Sequence, residues 1–137
     1  MTAVTAAGVA RRFPGVAESV HCARDFARAV LGPQHPALDT VDLLTTELVA
    51  NAIAYTRSGL PGGRLTVIVQ ADRDGVLVCV EDGGAAAGPQ LAADTVGIEE
   101  HGHGLRLVDV LADEWGSRGG PDGRTVWFRC APVGWQQ

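Results

Sequence analysis

The stretch from Leu65 to Asp82 constrains the fold most. Leu65, Val67, Val69 and Ala71 alternate with Thr66, Ile68 and Gln70, the period of a half-buried strand. Asp72-Arg73-Asp74-Gly75 reads as a hairpin turn, and Val76, Val78 and Val80 then resume the alternation. Two such strands joined by a tight turn pair antiparallel, and their shared apolar face needs a second layer to cover it. By the same period of two, Asp82 continues the apolar face while Glu81 points to solvent. A carboxylate there, followed by Gly83-Gly84, signals a turn. It also suits an acceptor for an exocyclic amine, with Gly84 letting the backbone approach a flat ring.

The covering layer is helical. Val16 to Leu31 places Val20, Ala23, Ala27, Val30 and Leu31 on one side, and Arg24 and Arg28 on a stripe expected to be solvated. His21 has no ligand partner at helical spacing. Gly32-Pro33 breaks the chain, and a second helix is expected from about Ala37 to Tyr55, with Val41, Leu44, Leu48, Ala52 and Tyr55 as its buried face. Glu47 and Asn51 lie one turn apart at the edge of that face. The pair is either a boundary pair satisfied by a loop or water, or the wall of a pocket in which one oxygen holds a metal and another handles a proton. A third helix, Leu105 to Ala112, follows Gly102-His103-Gly104. Further strands are expected at Val9 to Phe13 (an edge strand), Asp113 to Ser117 and Thr125 to Cys130, and residues 1–8 are expected to fray. The order gives one domain, 1–137, in the α/β (α+β) class. It is a two-layer sandwich with a mixed, mainly antiparallel sheet and helices on one face.

All eleven basic residues are Arg, and no Lys is present. That excludes a Walker P-loop, a eukaryotic-type kinase with its strand lysine, and Schiff-base chemistry. A phosphate site in this chain uses backbone N–H groups, a metal, Arg or His. The net charge of −5 argues against a direct nucleic-acid partner. Cys22, Cys79 and Cys130 have no metal-ligand spacing and read as small buried hydrophobes. No apolar run approaches membrane length, and a cytoplasmic protein fits. Gly102-x-Gly104 at a helix start can bind an anion through free N–H groups, and His103 between the glycines can touch a phosphate or serve as a loop residue. Thr125 opens the last strand, where its hydroxyl can meet a base, although alternation sets it opposite Val126, Phe128 and Cys130.

Glu47-x-x-x-Asn51, Asp82-Gly83-Gly84 and Gly102-His103-Gly104-Leu105, in that order within one small domain, resemble the GHKL (Bergerat-fold) ATPase superfamily. Within it, the length from 9 to 130 resembles the stand-alone anti-sigma-factor serine/threonine kinases. Arg11-Arg12-Phe13-Pro14-Gly15, Glu47 to Ala52, Gly104 to Asp109 and Asp122 to Trp127 carry that likeness. The resemblance implies ATP, with Mg²⁺, held between the helix layer and a lid at about 85–101. By it Asn51 would ligate Mg²⁺, Glu47 would be the general base, Asp82 would bind the adenine amine, and Gly102 and Gly104 would contact phosphates. It also implies transfer of the γ-phosphoryl group to an anti-anti-sigma (STAS-domain) protein and capture of a sigma factor, often by a homodimer. Ala86 stands where a further glycine is common, and Ala54 and Tyr55 replace a basic residue and a His. The alternative is a module that binds nucleotide and a protein partner without transferring phosphate.

Overall fold

The computed structural model describes residues 2–5, 8–84 and 103–131. Its strands are β1 (Thr2–Thr5), β2 (Gly8–Pro14), β3 (Arg64–Asp72), β4 (Gly75–Asp82), β5 (Glu114–Gly120) and β6 (Gly123–Cys130). They form one six-stranded sheet in the order β1-β2-β3-β4-β6-β5, and every pairing is antiparallel. The hairpin is as its periodicity requires: Ala71 faces Val76 and Asp72 faces Gly75. The helices are α1 (Glu18–Leu31), α2 (Leu38–Tyr55) and α3 (His103–Leu111), with a single 3₁₀ turn at Arg57–Gly59. α2 packs between α1 and α3 and lies on β4 and β6.

The core fills the space between the layers. Val67 and Val69 of β3, Val76, Val78 and Val80 of β4, and Phe128 of β6 meet Val41, Leu44 and Val49 of α2, all at 1% exposure or less. Burying each such side chain contributes about 1.5–3 kcal/mol. Ala23 and Ala27 are wholly buried on α1, and their small side chains let that helix approach its neighbours closely. Phe26 packs edge-on against Phe13 of β2, ring centroids 6.0 Å apart. The opposite face of the sheet carries the row Ala10, Ile68, Cys79, Trp127 and Gly116, in register across five strands. A Cβ on Gly116 would come within 3.0 Å of the Trp127 ring, so the indole lies against that glycine.

Four expectations need correction. Thr2–Thr5 pairs with β2 instead of fraying, so Val9 to Phe13 is an inner strand. Backbone pairing decides there, and Thr and Val, which suit a strand, make up three of its four residues. Arg24 and Arg28 are not simply solvated. Asp42 of α2 accepts from Arg24 Nε at 2.8 Å and from Arg28 at 3.3 Å, which ties α1 to α2. Cys22 is exposed and Cys79 only half-buried, because one lies on the outer side of α1 and the other on the open sheet face. Cys130 is buried as expected, and burial pushes its thiol up to about 11. The last two strands begin or end beyond the apolar pattern, since β5 runs to Gly120 and β6 starts at Gly123 to complete their ladder.

Candidate functional site

Glu47 and Asn51 stand half-buried on α2, flanking the stripe of Leu44, Leu48 and Ala52. No Gly or Pro interrupts this helix, so their one-turn spacing is kept and both project the same way. The Asn51 amide nitrogen is buried and has no hydrogen-bond partner among the described residues. A buried polar atom without a partner costs about 1–3 kcal/mol, and structures rarely tolerate one without a use for it.

Asp82 closes β4 on the helix-facing side, with its side chain 1% exposed. Its Oδ1 accepts the Gly84 N–H at 2.7 Å. Its Oδ2 accepts Arg124 Nε at 3.3 Å. Burial pushes the carboxyl above the ordinary range, and the Gly84 N–H and the Arg124 charge oppose that rise without cancelling it. The carboxylate is therefore held in one orientation in a dry setting.

The end of α2 is lashed to the end of β4 by a hydrogen-bonded loop. Thr56 Oγ1 donates to the Ala52 carbonyl at 2.7 Å and accepts the Ser58 N–H at 3.0 Å. Ser58 Oγ accepts the Gly83 N–H at 2.9 Å and donates to the Arg64 carbonyl at 2.7 Å. The Arg57 N–H donates to the Gly84 carbonyl at 2.9 Å, and the Arg57 guanidinium donates to the Pro121 carbonyl. Gly84 has φ +82°, and a Cβ there would lie 2.5 Å from the Gly120 and Pro121 carbonyl oxygens. Its lack of a side chain serves the packing of the β5–β6 turn.

The expected site residues are thus distributed unevenly. Glu47 and Asn51 share one helix face, and Asp82 with Gly84 is tied to that helix through residues 56–58. Thr125 is paired with Glu81, so it sits on the sheet face opposite Asp82. The residue opposite Asp82 is Arg124. His103, Gly104 and Leu105 open α3. Gly102, Ala86 and the 85–101 segment lie outside the described residues. Reading the sequence missed Arg124, Ser58 and Arg57. Alternation from Val126, Phe128 and Cys130 carries the signal for Arg124, whereas nothing periodic marks the other two.

A family model described as a histidine kinase-like ATPase domain matches residues 13–130. The chain belongs to that family. No curated protein sequence matches it. Histidine kinase-like ATPase domains of the GHKL superfamily imply ATP binding, usually with Mg²⁺. The donor set of this histidine kinase-like ATPase fits both. The Asn51 amide offers a hard oxygen for Mg²⁺ and, in its unpartnered nitrogen, a donor for a phosphate oxygen. The buried Asp82 carboxylate suits an amine of a base. Among the described residues no helix is long and apolar enough to cross a membrane.

Proposed function

We propose that the chain is an ATP-dependent regulatory protein kinase that phosphorylates a Ser or Thr of an anti-anti-sigma (STAS-domain) protein and sequesters a sigma factor. The observation that carries its nucleotide site is the buried Asn51 amide nitrogen beside Glu47, without a partner among the described residues. The kinase activity and the protein partners rest on the resemblance of the four stretches quoted above.

In this reading Asp82 accepts the exocyclic amine of the base. Asn51 Oδ1 would hold Mg²⁺, which when bound would supply neutralisation of the charge on the transferring group. Asn51 Nδ2 donates to the phosphate chain and gains its missing partner. Glu47 accepts the proton of the acceptor hydroxyl as its oxygen bonds to the γ-phosphorus, the bond to the β,γ-bridging oxygen breaks and ADP leaves. Phosphoryl transfer asks mainly for positioning and charge neutralisation, which a site on a rigid helix and a tethered strand end can give.

The test is incubation with Mg-ATP and a candidate STAS-domain protein, read by mass spectrometry for phosphoserine or phosphothreonine. Glu47→Ala is expected to bind ATP as the parent chain does and to lose transfer. ATP binding by the parent chain with no phosphorylated acceptor would leave the non-transferring module as the correct reading.

A further inference from the structure

Arg124 places only part of its hydrogen-bonding capacity in the fold. Its side chain is only 9% exposed, yet it engages Asp82 through Nε alone, at a long 3.3 Å. Its terminal nitrogens make no hydrogen bond or ion pair with any described residue. A guanidinium carries five N–H donors in a planar fork, and with only Nε placed on Asp82 its terminal N–H groups remain available to a further acceptor. It lies directly across the β4–β6 ladder from Asp82, on the same helix-facing side of the sheet. The pair therefore presents an acceptor beside a donor at the end of two neighbouring strands.

We propose that Arg124 is a base-reading residue which, together with Asp82, recognises the paired donor and acceptor on the Watson–Crick edge of adenine. Asp82 takes the N6 amine, and a terminal N–H of Arg124 donates to ring N1. This deepens, and rests on, the nucleotide-binding reading above. The match is chemical: adenine carries a donor next to an acceptor, and the protein offers the complementary order. The guanidinium also has a reason to stay after nucleotide binds, since contact with N1 leaves its Nε on Asp82. The Gly84 N–H on Oδ1 fixes the carboxylate plane, so the two reading groups keep their relative order. The Arg57 contact to the Pro121 carbonyl holds the turn from which β6, and hence Arg124, starts.

The experiment compares ATP with 1-deaza-ATP, which differs only in having C–H at the N1 position, by calorimetry on the full chain. A charge-assisted hydrogen bond lost to the analogue predicts roughly ten- to a hundredfold weaker binding. Arg124→Met is expected to weaken ATP binding and bring the two ligands within about threefold of each other. The ratio of the two affinities is independent of the fraction of folded protein, so modest destabilisation by the substitution does not blur it. Arg124→Lys, which keeps the charge, is expected to retain part of the discrimination. Equal affinity of the parent chain for ATP and 1-deaza-ATP would overturn the proposal while leaving nucleotide binding intact. So would an unchanged ratio in Arg124→Met, which would make Arg124 a structural partner of Asp82. Failure of the parent chain to bind ATP at all would instead strike the reading on which this one rests.

Discussion

Replacing Ser58 with alanine should cost more than its size suggests. The residue is 1% exposed, and its hydroxyl alone satisfies the Gly83 N–H while also donating to the Arg64 carbonyl. Each buried polar group stranded by such a change costs about 1–3 kcal/mol. The Arg64 carbonyl has a second lone pair and the Gly83 amide is half-buried, so water recovers part of the loss. A net destabilisation of about 2 kcal/mol is expected, which for a chain of this size lowers the melting temperature by about 6–10 °C. Urea unfolding followed by far-UV circular dichroism measures the free energy directly. Thr46→Ala is the control, since it removes a hydroxyl of the same kind bonded to the Asp42 carbonyl on a partly exposed helix face. That change should cost at most about 0.5 kcal/mol. The effect should also reach the site, because Ser58 is one of the bonds that set the strand end carrying Asp82: ATP affinity should fall in Ser58→Ala and stay unchanged in Thr46→Ala. A Ser58→Ala loss no larger than the control's would refute the claim that this hydroxyl carries the junction.

Three further outcomes are expected. Gly84→Ala should destabilise by more than about 3 kcal/mol, since a left-handed conformation costs an alanine about 1–2 kcal/mol and its Cβ would meet two backbone carbonyl oxygens at 2.5 Å; thermal melts check it. Asn51→Ala should leave unfolding free energy without nucleotide equal to or above the parent's, because it removes an unpartnered buried donor, and should abolish the thermal stabilisation that Mg-ATP gives the parent. For Asp82, burial raises the folded-state carboxyl pKa above its unfolded value. The native state then binds the proton more tightly than the unfolded chain, so this group's contribution to stability falls as pH rises from the ordinary carboxylate range through the raised value, and is level above it. Asp82→Asn should remove that slope from urea titrations run between about pH 4 and pH 7. A slope unchanged by the substitution would assign it to other carboxyls.

The sheet was legible wherever one of its faces is buried. The hairpin from Leu65 to Asp82 reads directly because valines on the inner face alternate with mixed residues on the outer one, and that same count set Asp82 inward. Applied to the last strand the same count sets Arg124 beside Asp82 and Thr125 on the far face, as the alternation with Val126, Phe128 and Cys130 requires. The helix pair Glu47 and Asn51 was legible as a position, but the buried nitrogen that gives it meaning depends on what α2 packs against. Arg24 and Arg28 looked like a solvated stripe because their partner, Asp42, is on another helix, and the crossing that joins them is a tertiary event. Ser58 lies in a segment without period, and its role comes from a strand end 25 residues away.

The junction at residues 56–58 also bears on the order in which the chain folds. The bonds of this corner close long loops: Ser58 reaches Gly83 across 25 residues, Asp82 reaches Arg124 across 42, and Arg57 reaches Pro121 across 64. Loop-closure entropy must be met before such contacts return anything, so local helices and the β3–β4 hairpin have a head start over the corner that holds Asp82. That corner is complete only when β6 has joined β4. A molecule with β6 displaced has helices and a hairpin but no assembled corner. Occupancy of the proposed nucleotide site would then report whether β6 has joined β4.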